Sequence, residues 1–375
     1  VIRLTFEPNP DFERLRRTLL CEEPDRVPTA ELYVDRPAKE GLVGESIDTL
    51  PDSIRFYHAA GYDFYGLRFS YADDFHVGDF SKSGRGDATY TQSAYGDTGT
   101  RKRHWVRGKD HYISTVADFE NFEWPVAETD KVAGEADIDA MPADEALEIV
   151  RRHLPQGMKV IAWSSGIFEY ISWLMGFEQF CDALYTDPEL IERMFDRVGS
   201  LFASLFEYMA SIDVVGALWY ADDLAYAEGL LWSPELMRKY LFPWYEEIGA
   251  IARKNDLPLI LHSDGDLTKI LDDYIAFGWN AIQPVEPKAM DIRELKRKYG
   301  KKLCFIGNVD LSYTLTRGTP DEVREEVKGL IRDVAPGGGF CVGSSNTITD
   351  YVPPQNYRAL LEATFEYGKY PIDVP

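Results

Sequence analysis

The residues best placed to do chemistry lie in Leu261–Asp266, read LHSDGD, where an imidazole and two carboxylates follow an apolar run. His262 and Asp264 are two apart, so on an extended strand end both side chains face one side. There they could share a metal ion or form a proton-transfer pair. The alternative is a helix start, with Asp264 or Asp266 capping the LTKILDDY segment and His262 hydrogen-bonded at a rim. YADDLA places Asp222 and Asp223 after another apolar run. Adjacent residues of an extended chain point oppositely, so one of the two, read here as Asp223, reaches the same space. QPVEP holds Gln283 and, between two prolines, Glu286; IGNVD holds Asn308 and Asp310, and GGGFCVGSSNTITD holds Ser344, Ser345 and Asn346.

These groups share a context. Eight apolar runs (AELYV, YDFYGL, MKVIAWSS, DVVGALWY, LPLILHS, NAIQPV, KLCFIGN and GGGFCVGS) are separated by amphipathic helical patterns such as PDEVREEVKGLIRDV. Continuous apolar strands joined by crossover helices form parallel sheets covered on both faces. Eight such units predict an α/β fold of the (β/α)8 TIM-barrel type, with active-site groups at the C-terminal strand ends. A doubly wound open sheet is the alternative, but no G-x-G-x-x-G follows a strand. The N-terminal PDFERLRRTLL reads as a helix ahead of the barrel. Residues 79–124, rich in Gly, Ser, Thr, Asp and Tyr, read as an inserted β-hairpin region, and 131–142 as part of an acidic, turn-rich connection. The whole of residues 1–375 is expected to form a single domain.

The 375 residues carry 63 Asp+Glu against 40 Lys+Arg, a net charge of −23. That balance opposes nucleic-acid or anionic-membrane partners, which need clustered cations; the one basic run is Arg101–Lys109, read as a solvated hairpin face. The Gly-rich GGGFCVGSSN run holds no Lys or Arg, which weighs against a phosphate cradle. Cys21, Cys181, Cys304 and Cys341 show no paired spacing, and no secretory leader pattern is present, so a cytoplasmic protein without disulfides is expected. Trp163 and Trp219, near strand ends, are candidates to wall a pocket for a flat substrate.

The chain also resembles the uroporphyrinogen decarboxylase superfamily, whose members include corrinoid-linked methyltransferases. The stretches that carry the resemblance run in order: EPDRVP, AAGYDF, FENFEWP, SPELMRKYLFPWYEEI, LILHSDGD, MDIRELKRKYG, FIGNVD, TLTRGTPDEVREEV and GGGFCVGSSNTITDYVPPQNYRALL. The resemblance implies the same barrel. Two departures redirect the implied chemistry. The Arg-Gln-Ala-Gly-Arg motif with which true decarboxylases grip substrate carboxylates is replaced by ELYVDRPAKEG. The His-x-Cys-Gly zinc motif of the coenzyme M methyltransferases reads His262-Ser263-Asp264-Gly265, and their later Cys falls at Ser345–Asn346.

Carboxylate in place of thiolate makes a harder site, suited to an ether oxygen more than to a thiol. The expected function is therefore transfer of a methyl group from a small O-methyl donor, methoxyaromatic donors included, to a corrinoid carried by a partner protein, with zinc as Lewis acid. The expected zinc ligands are His262, Asp264 and Glu286. Asp223, Glu286 and Asp264 are the expected catalytic groups, and Trp163, Tyr220, Gln283, Asn308, Ser345 and Asn346 the substrate-binding ones. The resemblance leaves a homodimer open. Two alternatives stand beside this one: a metal-free decarboxylase or lyase, and a non-catalytic small-molecule binder.

Overall fold

The computed structural model of the chain describes residues 4–71, 112–135 and 138–374. Seven strands run parallel in one sheet: β1 (Phe64–Tyr71), β4 (Lys159–Ser165), β5 (Val215–Ala221), β8 (Leu259–His262), β9 (Ala281–Gln283), β10 (Cys304–Val309) and β11 (Phe340–Ser344). Each is rich in Val, Ile, Leu, Phe and Ala, and β5 is buried along its whole length because helices cover the outside and side chains fill the inside. The eighth unit, AELYV, is an extended segment rather than a full strand. It meets β11 through the parallel bridge Thr29–Val342 and the loop after β11 through the parallel bridge Val34–Ile348. On its other side the Leu32 carbonyl stands 3.5 Å from where a Cβ on Gly66 of β1 would sit. This segment completes the ring of a TIM barrel.

Helices Ile167–Met175, Phe177–Thr186 and Pro188–Ala210 connect β4 to β5, and a short antiparallel pair, β6 (Ala225–Tyr226) and β7 (Gly229–Leu230), with helices Pro234–Tyr240 and Phe242–Lys254 connects β5 to β8. Pro320–Val334, between β10 and β11, starts with a capping box in which Thr319 and Glu322 satisfy each other's backbone N–H groups. Among the described residues no helix is long and apolar enough to cross a membrane.

Two expectations need correction. The stretch read as a turn-rich connection contains β2 (Lys131–Glu135) and β3 (Ile138–Pro142), an antiparallel pair that extends the sheet beyond β1. Gly134 permits it, since a Cβ there would lie 3.0 Å from the Ala140 Cα. The expected hairpin region lies outside the described residues as far as 111, together with the basic run Arg101–Lys109. Its described part holds a short helix, Val116–Asn121, started by a Thr115/Asp118 capping box whose spacing overrides any strand alternation.

At the opposite end from the strand termini, a charge network ties the first helix (Phe12–Leu19) to the barrel. Buried Arg14 donates to Asp63 at 2.6 Å and to Asp25 at 2.6 Å, and Arg26 approaches Asp63 at 3.4 Å. Asp63 is 1 % exposed, so it depends on these cations. Arg14→Ala should lower the unfolding free energy by about 3 kcal/mol, measured by urea denaturation. A loss below about 1 kcal/mol would show that Arg26 alone satisfies Asp63.

Candidate functional site

The strand register brings the singled-out residues to one level. His262 ends β8 and stands opposite Ala221 of β5 on one side and Gln283 of β9 on the other. Its Nδ1 is hydrogen-bonded to Gln283 Oε1, and Gln283 Nε2 donates to the Asn346 carbonyl. That second bond decides the first. A carbonyl only accepts, so the amide NH2 of Gln283 must face Asn346 and its oxygen must face the imidazole. Nδ1 therefore carries a proton, and Nε2, which offers a lone pair when the ring is neutral, points elsewhere.

It points at two carboxylates. Nε2 lies 3.7 Å from Asp223 Oδ1 and 3.9 Å from Asp264 Oδ1, beyond hydrogen-bond length from either. One donor atom from each of Asp223, His262 and Asp264 lies within 4.8 Å of the others, the one such trio among the described residues. Asp264 is braced by Asn346, whose Nδ2 lies 2.8 Å from both carboxylate oxygens, and its own N–H donates to Asp223 Oδ1 at 2.9 Å. The loop turns at Gly265, with φ +85°, where a Cβ would lie 2.5 Å from backbone atoms of Ala225 and Tyr226. Only glycine fits there.

The paired aspartates part as alternation requires. Asp223 turns to His262, whereas Asp222 is fully buried and accepts from Phe168 N–H, Glu169 N–H, Tyr220 Oη and Tyr245 Oη. Burial outweighs these four bonds and pushes its carboxyl up to about 6. Asp222 thus anchors the start of the helix Ile167–Met175. Gly166 leaves room for it, because a Cβ there would collide with the Asp222 side chain.

The remaining candidates surround this trio without joining it. Glu286 Oε2 accepts from Gly265 N–H at 2.8 Å, supporting the loop from below the trio. Asn308 donates to the Val285 carbonyl, and Ser345 Oγ accepts from Leu311 N–H, so both brace loops. Asp266 accepts from Thr268 as a local turn former. Tyr220 and Trp219 are buried, Tyr220 among Phe206, Tyr245 and Trp279 and Trp219 beside Phe64. Trp163 lies nearly parallel to Tyr33 with ring centroids 6.3 Å apart, and the Arg68 guanidinium sits 5.6 Å over its ring.

One acid escaped the sequence reading. Glu169, half-buried in the first turn of Ile167–Met175, is pushed well above the ordinary carboxylate range by burial and then by Asp223, Asp222 and Asp264, with Arg68 opposing. An acid in a helix's first turn is the commonest of patterns, so nothing local separated it from a dipole partner.

The donor set fits a divalent cation. One imidazole nitrogen and two carboxylates leave positions open to a substrate, and the set contains no thiol. Cys304 and Cys341 are buried within β10 and β11, and burial pushes the Cys21 thiol up to about 12.

A TIM barrel that gathers an imidazole and two carboxylates at its strand ends is a class of enzyme-like architecture. Within it, the chain belongs to the uroporphyrinogen decarboxylase (URO-D) family, whose sequence profile matches residues 110–367. It is 27 % identical over 229 residues to the methylcobamide:CoM methyltransferase MtaA of Methanosarcina barkeri, covering 60 % of this chain and 62 % of that one. It is 22 % identical over 245 residues to the uroporphyrinogen decarboxylase of Actinobacillus succinogenes, covering 60 % and 63 %. The matches thus span somewhat under two thirds of these relatives' lengths. A solved methyltransferase from Methanosarcina mazei shares the fold, with a TM-score of 0.64 at 18 % identity over 94 % of this chain and 98 % of that one.

Proposed function

We propose that this chain is a methyltransferase that takes a methyl group from a small O-methyl compound, methoxyaromatic compounds included, and passes it to a corrinoid carried by a partner protein. Zinc would be held by His262, Asp223 and Asp264. The observation that carries the reading is the His262 Nε2 lone pair, fixed by Gln283 and facing two carboxylates. Similarity to a methylcobamide:CoM methyltransferase supports the reaction class.

In the reaction the donor C–O bond breaks, the methyl group leaves to the acceptor, and the donor oxygen takes up one proton. When bound, the ion supplies Lewis acidity toward that oxygen, the poor leaving group of the pair. The protein's contribution is orientation. Gln283 and Asn346 hold His262 and Asp264, and Glu286 fixes the loop at Gly265. A porphyrinogen bearing many carboxylates would instead meet Asp223, Asp264 and Glu286 at the barrel mouth, an arrangement that repels it.

The test is methyl transfer to reduced cobalamin from a panel of methoxylated compounds, followed by the visible spectrum of the cobalamin. Zinc-loaded protein should transfer, and chelator-treated protein should lose most of the activity and regain it with zinc. Less than about a tenth of an equivalent of zinc after reconstitution would count against the reading. So would decarboxylation of uroporphyrinogen by metal-free protein.

A further inference from the structure

The strand-end loop that braces Asp264 is itself gripped from outside the site. Glu31, in the extended segment beside β11, is 0 % exposed. Its two carboxylate oxygens both serve one residue: Oε1 accepts from Ser344 N–H at 2.6 Å and Oε2 from Ser344 Oγ at 2.8 Å. Among the described residues no Lys, Arg or His pairs with it. A buried carboxyl group is costly unless both its oxygens are hydrogen-bonded, and here both are engaged in fixing the main chain and side chain of Ser344. The contact is close throughout, since a Cβ on Gly343 would lie 2.3 Å from the Ala30 carbonyl.

Three successive residues then take three tasks. Ser344 is held by Glu31. Ser345 is tied to the β10 end, through its N–H to Val309 and its Oγ from Leu311. Asn346 reaches into the site, with its carbonyl on Gln283 and its amide on both oxygens of Asp264. The position of Asn346 therefore sets the Asp264 carboxylate directly and the His262 ring through Gln283.

We propose that Glu31 is a positioning residue for the His262–Asp223–Asp264 site: by clamping Ser344 it places Asn346, and through Asn346 it orients Asp264 and, by way of Gln283, His262. The proposal rests on the cation-site reading for its consequence in metal affinity, but not for the loop order it predicts.

Both consequences are measured on the full chain. Zinc affinity is determined by competition with a chromogenic chelator, and amide hydrogen exchange of residues 262–266 and 344–347 is followed without metal. Glu31→Ala should weaken zinc binding about 10- to 100-fold and speed exchange in both segments. Glu31→Gln, which can still accept from Ser344 N–H and donate to Ser344 Oγ, should stay within about threefold of the parent and restore slow exchange. Ser344→Ala, which keeps Glu31 and loses one bond, should fall between them and serves where Glu31→Ala does not fold. Parent-like exchange at 262–266 in both Glu31→Ala and Ser344→Ala overturns the proposal, as does Glu31→Gln behaving like Glu31→Ala. If the parent protein binds no zinc, the metal reading falls, and the exchange comparison still decides the role of Glu31.

Discussion

His262→Ala should abolish the stoichiometric zinc binding proposed for this site: the purified variant is expected to retain almost no zinc after dialysis, with a dissociation constant raised by about 100-fold or more. The magnitude follows from the donor set. His262 Nε2 is the one nitrogen among the three donors, and its lone pair is pre-aimed because Gln283, locked by the Asn346 carbonyl, holds the proton on Nδ1. Removing it leaves two carboxylates whose mutual repulsion is eased by Asn346 and the Asp264 N–H. Changing an outer partner typically costs 10- to 100-fold, so loss of a direct ligand should exceed that range. Metal content by mass spectrometry, with folding checked by circular dichroism, reads the result. A folded His262→Ala protein with parent-level zinc would remove His262 from the ligand set.

The second large effect is on stability against pH. Burial among Tyr57, Tyr62 and Tyr357, opposed by the two Ser344 hydrogen bonds, pushes the Glu31 carboxyl from an ordinary 4.5 up to about 8. Between these values the folded state binds the proton more readily than the unfolded chain, so stability falls as pH rises from about 4.5 through 8. The interval, 8 less 4.5, corresponds to about 5 kcal/mol at 1.36 kcal/mol per pKa unit. Glu31→Gln cannot ionise. It should match the parent near pH 4.5 and exceed it by about 5 kcal/mol above pH 8. Asp222, raised to about 6, has the same sign but is common to both proteins and cancels in the difference. Denaturant unfolding of both proteins from pH 5 to 9 supplies the comparison. A stability difference that does not change with pH would show that Glu31 titrates in the ordinary range.

Much of the barrel was legible because parallel strands buried on both faces must be continuously apolar, and β4, β5, β8 and β10 are written that way. AELYV was legible as extended chain, but not as a segment making only two bridges, since bridging depends on where β11 lies. The pair β2 and β3 was missed because Lys131–Pro142 mixes acids, glycine and proline, and its pairing is supplied by β1. At the site, the period-two spacing of His262 and Asp264 and the opposition of Asp222 and Asp223 follow from backbone geometry alone. Glu31 and Glu169 could not be found that way. Each is a lone acid in an ordinary local setting, made consequential by a residue distant in the chain: Ser344 for Glu31, and Asp223 with Asp264 for Glu169.

What the sequence determined by itself was the periodicity: which segments are buried strands, where they end in polar side chains, and which neighbours share a face. Those are properties of a few consecutive residues. Which of the polar ends meet, and in what protonation state, was decided only in three dimensions. The His262 tautomer depends on an amide from β9 and a carbonyl from the loop after β11, 63 residues apart in sequence. The excess of acid likewise acquires meaning only there. Many of the described carboxylates lie on helices, whereas Asp223 and Asp264 are brought within reach of one nitrogen by the register of β5, β8 and β9. Convergence of that kind is set by long-range packing, which no local pattern encodes.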